Sequence, residues 1–269
     1  ALVAQPDVGA ISFTGSTRVG HAISIECAKS FKKVTLEMGG KNPAIIFEDA
    51  PQNNLVANIA RLSFQNSGQI CLCGSRILVQ SSIYSQFKKD FLQHVQTLVV
   101  GDPNKPSTRL GPVMSKIHFD KILAYIELAK QEGGQILCGG EALQLHDELA
   151  KGWFIAPTVI EGLPMSARFC QEEVFGPVIS LHAFEDEAEA LALANHSQYG
   201  LAASVWSTDT QRTQRMAIAL DTGIVWINTW LQRDLRTPFG GMKQSGYGRE
   251  GGLDALKFFT ESKTISIGT

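Results

Sequence analysis

An α/β fold with a largely parallel sheet is predicted by three features of the sequence. Short apolar runs alternate with amphipathic helical stretches along most of the 269 residues, a pattern of βα units rather than hairpins. The first run, residues 8–14, ends in Gly15 and leads into a helical stretch at 18–29, a strand–glycine–helix step. Hydrophobic residues make up 44 % and charged residues 19 %, ordinary values for a chain long enough to bury a sizeable core.

The remaining elements follow from local pattern. Val34-Thr35-Leu36 and Ala44-Ile45-Ile46-Phe47 read as strands, separated by Gly39-Gly40 and Pro43. Residues 54–64 read as a helix and 76–80 as a strand. Ile83, Phe87, Phe91 and Val95 recur every four residues, which predicts an amphipathic helix over 83–99. A second such helix, 116–131, is stopped by Gly133-Gly134. The polar, glycine-rich stretch 139–152 reads as a surface excursion. Strands at 154–159, 178–183, 201–206 and 224–227 then alternate with helices at 185–195 and 210–220. Residues 260–267 alternate polar and apolar side chains, the pattern of an amphipathic terminal strand.

Composition narrows the function classes. A net charge of −2 gives no reason to expect nucleic acid or a membrane surface as partner. No apolar run approaches the roughly 18 residues of a spanning helix, and no signal-peptide pattern opens the chain. Cys27, Cys71, Cys73, Cys138 and Cys170 are odd in number and suggest no disulfide framework, so a reducing, cytoplasmic compartment is expected. Cys71 and Cys73 form a C-x-C pair that nothing completes into a zinc site, and no metal is expected. The chain opens at Ala1 with no element start before Asp7, which reads as an entry in mid-domain.

Two segments carry chemistry. Gln65-Asn66-Ser67-Gly68-Gln69-Ile70-Cys71-Leu72-Cys73-Gly74-Ser75-Arg76 places a thiol in a glycine-flanked turn between helix and strand. Leu36-Glu37-Met38-Gly39-Gly40-Lys41 places a carboxylate on another strand-edge turn. A nucleophile and a general base are the minimum set for covalent catalysis on a carbonyl. Thiolate attack on an aldehyde gives an oxyanion that can expel hydride, leaving a thioester for a base-activated water to cleave. A third segment, Phe13-Thr14-Gly15-Ser16-Thr17-Arg18-Val19-Gly20, can present free backbone N–H groups to a phosphate. It lacks the Gly-x-Gly-x-x-Gly fingerprint, and His21 and Ala22 break the P-loop pattern.

Together these segments resemble the signature motifs of the NAD(P)-dependent aldehyde dehydrogenase superfamily. The resemblance implies Cys71 as nucleophile, with its backbone N–H an oxyanion donor, and Glu37 as the base for deacylation. It implies a pyrophosphate-contacting turn with Gly15, Ser16, Thr17 and Gly20, and Met38 and Gly39 beside the cofactor. Gln171-Glu172-Glu173-Val174-Phe175-Gly176-Pro177 resembles the family segment in which Glu173 would bind the nicotinamide ribose and Phe175 would pack near its ring. The cofactor implied is NAD, with NADP equally allowed. Pro238 to Glu250, with Phe239 beside the substrate, resembles the return from the catalytic to the cofactor domain.

Trp230-Leu231-Gln232-Arg233-Asp234-Leu235-Arg236-Thr237-Pro238 is similar to the branch acting on 2-hydroxymuconic and 2-aminomuconic semialdehydes. Arg233 is the expected carboxylate anchor there, and Arg236 the weaker candidate. The implied organisation is the end of a Rossmann-like dinucleotide-binding domain at 1–38, a parallel-sheet catalytic domain at 39–240, and a return segment with an oligomerisation strand at 241–269. A homodimer or homotetramer is implied. The resemblance spans the C-terminal half or so of a family member, so the isolated chain is expected to be inactive. Rival readings are a broad-range or betaine-type aldehyde dehydrogenase, a cofactor-independent cysteine hydrolase, and a non-catalytic assembly protein. The hydrolase needs a histidine partner for its thiol, and none of the six histidines lies in such a motif.

Overall fold

The computed structural model describes residues 1–269. Strand β1 (Ala10–Thr14), helix α1 (Thr17–Ala28) and strand β2 (Lys33–Glu37) form a parallel βαβ unit. Its register pairs Ala10 with Lys33 and Thr14 with Glu37, so both strands end at one level. Ser16 is the N-cap of α1 and accepts from Val19 N at 3.4 Å.

The chain then enters a second sheet. In order come β3 (Asn42–Ile46), α2 (Leu55–Phe64), β4 (Gly74–Gln80), α3 (Ser81–Gln96), α4 (Lys116–Gln131) and β5 (Gln135–Cys138). A small hairpin, β6 (Ala142–Leu143) with β7 (Phe154–Ile155), precedes β8 (Thr158–Glu161) and α5 (Arg168–Gln171). Then follow β9 (Val178–Phe184), α6 (Glu187–Asn195), β10 (Tyr199–Gly200), β11 (Ala202–Trp206), α7 (Thr210–Ala219) and β12 (Ile224–Ile227). Seven strands pair in the order β12-β11-β3-β4-β9-β8-β5, and every neighbouring pair except β5–β8 is parallel.

Helices cover both faces of this sheet, so its central strands are continuous apolar runs, as buried parallel strands require. Ile45, Ile46, Ile77, Leu78, Val79 and Val205 are fully buried. Each such side chain contributes about 1.5–3 kcal/mol by leaving water. This core anchors the strand ends from which the functional turns project.

The return segment carries β13 (Met242–Lys243), β14 (Gly246–Tyr247) and α8 (Gly252–Phe259). Strand β14 pairs antiparallel with β2, Gly246 opposite Glu37. The chain thus returns to the sheet it began in. A crevice results, because β1 and β2 end where β3, β4 and β9 begin.

Three local expectations differ from the structure. The strand expected over 154–159 breaks into β7 and β8 around Pro157, which has no N–H to give a ladder. Residues 252–259 form a helix that was not expected, because Gly251-Gly252 reads as turn chemistry; its Leu253, Leu256 and Phe259 are exposed. The terminal strand expected at 260–267 does not form. Those residues are exposed without strand pairing, since ladder groups need a partner edge and this segment meets none.

Candidate active site

The thiol of Cys71 sits on a turn whose shape comes from three consecutive left-handed residues. Asn66, Ser67 and Gly68 have φ of 53°, 55° and 70°. Glycine is needed at position 68, where a Cβ would lie 2.1 Å from Gly176 O. The register between β3 and β4 shifts at Asn42–Pro43, pairing Asn42 with Gly74 and Pro43 with Arg76. This irregularity brings the Asn42 carboxamide under the Cys71 turn. Its Nδ2 donates to Cys71 O at 2.7 Å and Cys73 O at 2.9 Å, and its Oδ1 accepts from Ala202 N at 3.1 Å. Trp230 Nε1 donates to the intervening Leu72 O at 2.9 Å. Cys71 is half-buried and Cys73 buried. Burial first, then the Glu173 and Glu37 carboxylates, push the Cys71 thiol up to about 11, so it rests protonated at neutral pH.

Glu37 closes β2 and is 4 % exposed. Neither of its carboxylate oxygens has a hydrogen-bond partner. Burial, then the Glu250 carboxylate, raise its pKa to about 8, against the opposing pull of Arg249 and Arg233. A partnerless carboxyl poised near neutrality has the character of a general base.

Both groups open onto one cavity of about 580 Å³. Thr14, Gly15 and Ser16 line it from the end of β1, and Glu37, Met38 and Gly39 from the end of β2. Gln69, Ile70 and Cys71 form another wall, facing Met114, His118 and Lys121 near α4 and Glu173 and Phe175 before β9. Glu173 lies directly on the glycine turn, its Oε1 accepting from Gly40 N at 3.3 Å. A Cβ on Gly39 would fall 1.9 Å from Glu173 Oε2. Burial raises the Glu173 pKa, while the Gly40 N–H lowers it.

Phe175 holds a left-handed φ of 59°. Its carbonyl accepts from His118 Nε2 at 2.6 Å, which assigns the ring proton to that nitrogen. Lys121 Nζ donates to Glu173 O at 3.1 Å.

Among the cofactor candidates, Gly15, Ser16, Met38, Gly39, Glu173 and Phe175 therefore meet around one space with Cys71 and Glu37. Thr17 and Gly20 do not line it. Gly20 faces inward, where a Cβ would meet Met38 Sδ at 2.5 Å, so it lets α1 pack on the glycine turn. Arg233 and Phe239 also lie off the cavity wall. The Arg233 guanidinium is exposed and stacks 4.1 Å over the Phe239 ring. Arg233 has no ion-pair partner in the chain, yet its charge lowers the pKa of both Cys71 and Glu37. Arg236 is paired with Asp234.

Sequence reasoning did not find Asn42, His118, Lys121 or Glu250. Only Asn42 carried a signal, as the residue directly after Gly39-Gly40-Lys41. The other three depend on tertiary placement. One cysteine does meet a histidine: Cys170 Sγ lies 3.8 Å from His182 Nε2, but the cysteine is fully buried. Burial drives that thiol up, and burial followed by Arg76 drives His182 down to about 4, so the pair rests neutral.

A thiol and a partnerless carboxyl sharing one cavity, at the junction of a βαβ unit and a parallel sheet, define the class of site, and the comparisons specify the family. The aldehyde dehydrogenase family profile matches residues 1–265, and the chain belongs to that family. It is 47 % identical over 269 residues to 2-aminomuconic semialdehyde dehydrogenase of Danio rerio, covering 99 % of this chain and 55 % of that protein. It is 43 % identical to 2-hydroxymuconic semialdehyde dehydrogenase of Pseudomonas sp. (strain CF600), with 99 % and 55 % covered. Among solved structures it resembles betaine aldehyde dehydrogenase from Staphylococcus aureus in complex with NAD+, at a TM-score of 0.92 and 42 % identity. That match covers 95 % of this chain and 51 % of the other. The chain spans about half the length of the curated relatives it matches.

Proposed function

We propose that the protein containing this chain oxidises an aldehyde bearing a carboxylate, of the 2-hydroxy- or 2-aminomuconic semialdehyde type, to the acid with NAD(P). The observation carrying the proposal is the shared cavity of Cys71, Glu37 and Glu173. The residues present fit the reactive half of a nicotinamide dinucleotide. The N-terminus of α1, from Ser16 on, offers N–H groups for a pyrophosphate, while Gly15 N is held by Glu37 O at 3.0 Å. Glu173 offers a half-buried acceptor for ribose hydroxyls, and Phe175 offers a ring face. The neighbour crystallised with NAD+ supports NAD as the cofactor. When bound, the nicotinamide supplies the hydride acceptor.

Cys71 Sγ attacks the carbonyl carbon after its proton passes to solvent water, and the Cys71 N–H steadies the oxyanion. Collapse of that oxyanion expels hydride and leaves an acyl group on sulfur. Glu37, in its ionised form, takes a proton from water as that water attacks the thioester, and Cys71 leaves as the thiolate, which takes up a proton to become the thiol again. Burial and the two carboxylates keep Cys71 protonated at rest, so loss of its proton must precede attack.

Arg233 supports the carboxylate-bearing substrate class, because it is an unpaired guanidinium held by Phe239 and felt by both catalytic groups. The likeness to muconic semialdehyde dehydrogenases supports the same substrate class, independently of Arg233. Betaine-type chemistry, which the structural neighbour's name suggests, would place a cationic substrate beside that cation. A cysteine hydrolase lacks support, since the thiol–imidazole pair lies in the core rather than at Cys71. We assign residues 1–38 to the cofactor domain, 39–240 to the catalytic domain and 241–269 to the return. Residues 260–267 would pair with a second subunit of a cytoplasmic homodimer or homotetramer.

Arg233→Ala tests the substrate class in the full-length protein. It should lower kcat/KM for a carboxylated semialdehyde by about tenfold or more while sparing propanal. Equal losses with both aldehydes would remove Arg233 as the anchor.

A further inference from the structure

We infer that Asn42 is a positioning residue for the nucleophile, its carboxamide clamping residues 71–73 so that the Cys71 thiol and its N–H face the cavity. The inference rests on Cys71 being the nucleophile, as proposed above.

The nucleophile turn is not self-supporting. Two of its three left-handed residues, Asn66 and Ser67, are not glycine, and such backbone persists only where the surroundings over-determine it. The carbonyls of residues 71, 72 and 73 are all held by side chains from elsewhere. Asn42 takes the first and third, at 2.7 and 2.9 Å, and Trp230 takes the second at 2.9 Å. With Cys71 O and Cys73 O tied to one planar amide, the Cys71–Leu72 and Cys73–Gly74 peptide planes cannot rotate independently, and Trp230 holds the Leu72–Cys73 plane between them.

Asn42 is itself 4 % exposed and has no spare donor. Both Nδ2 hydrogens go to the turn, and Oδ1 is held by Ala202 N at 3.1 Å. The amide therefore cannot flip without giving up all three bonds. Its seat explains the neighbouring glycine, since a Cβ on Gly40 would lie 2.5 Å from Asn42 Oδ1. Residues 37–42 thus hold, in one continuous stretch, the proposed base, the seat of Glu173 and the clamp on the thiol. No other side chain touching the turn reaches two of its carbonyls.

A purely structural asparagine would affect how much protein folds. A positioning asparagine affects how fast each folded site reacts. The full-length protein, saturated with NAD, is mixed rapidly with propanal, and the first turnover of NADH formation is followed by absorbance. Wild type, Cys71→Ala, Asn42→Ala and Asn42→Ser are compared. The first-turnover rate constant, which does not depend on the folded fraction, should fall at least about tenfold in Asn42→Ala. It should fall less in Asn42→Ser, whose hydroxyl restores one donor. NAD affinity should stay within about twofold of wild type in both.

Rate constants within about threefold of wild type in both variants, with only the amplitude reduced, would overturn the inference. Asn42→Ser decides the matter if Asn42→Ala does not fold. First-turnover NADH that survives in Cys71→Ala would overturn the nucleophile assignment itself, which separates the two failures.

Discussion

Replacing Glu37 by Gln should stabilise the protein at alkaline pH and leave its stability nearly unchanged in acid. In the fold, burial and then Glu250 raise this carboxyl from 4.5 to about 8. At about 1.4 kcal/mol per unit, the whole shift corresponds to roughly 5 kcal/mol. Relaxation of the chain around a buried charge offsets part of this, so about half of it, 2–3 kcal/mol, is expected in practice. The unfolded chain releases the Glu37 proton near pH 4.5, whereas the folded chain keeps it until about pH 8. Between those values the native state binds more protons, so wild-type stability falls as pH rises through the window. Glutamine titrates in neither state. The advantage of Glu37→Gln should therefore be near zero below the window, grow through it, and level off above it. At about 2–4 °C per kcal/mol, the gain in Tm should be on the order of 5–10 °C at the alkaline end. Denaturant titrations of both proteins at pH values below, within and above the window measure the difference directly. A gap that is the same at every pH, or a variant less stable than wild type in alkali, would refute the reasoning.

Further outcomes follow from the same geometry. Iodoacetamide labelling of Cys71, read by peptide mass mapping, should be slow at neutral pH and still climbing at pH 10, because burial holds the thiol near about 11. A plateau reached near pH 8 would mean that the buried setting described here is wrong. Gly39→Ala drives a methyl into the Glu173 carboxylate, so NAD affinity of the full-length protein should fall by about tenfold or more. Unchanged affinity, measured by quenching of protein fluorescence, would show that Glu173 can leave its seat without consequence.

Most of the parallel sheet was legible because its strands are short apolar runs punctuated by glycine and proline. The terminal segment was not, since alternation at 260–267 reports a strand only where an edge exists to pair with it. Helix α8 was missed although Leu253, Leu256 and Phe259 recur at helical spacing, because Gly251-Gly252 at its start reads as a turn. At the site, Cys71 and Glu37 stood out because each lies on a glycine-flanked turn. His118 and Lys121 were invisible, being ordinary polar positions on an amphipathic helix until α4 docks against Glu173 and Phe175. Ser16 shows a second limit, since its hydroxyl caps α1 while its backbone faces the cavity, and the motif alone does not separate those uses.

The most direct test of the central claim is the mass of Glu37→Gln in the full-length protein, acid-quenched after mixing with NAD and a semialdehyde. Slowed deacylation should leave Cys71 carrying an acyl group, adding the aldehyde's mass less two hydrogens, with the peptide mapped to residues 65–76. NADH formed with no adduct on any cysteine, or an adduct that persists when Cys71→Ala is added to the variant, would contradict the account.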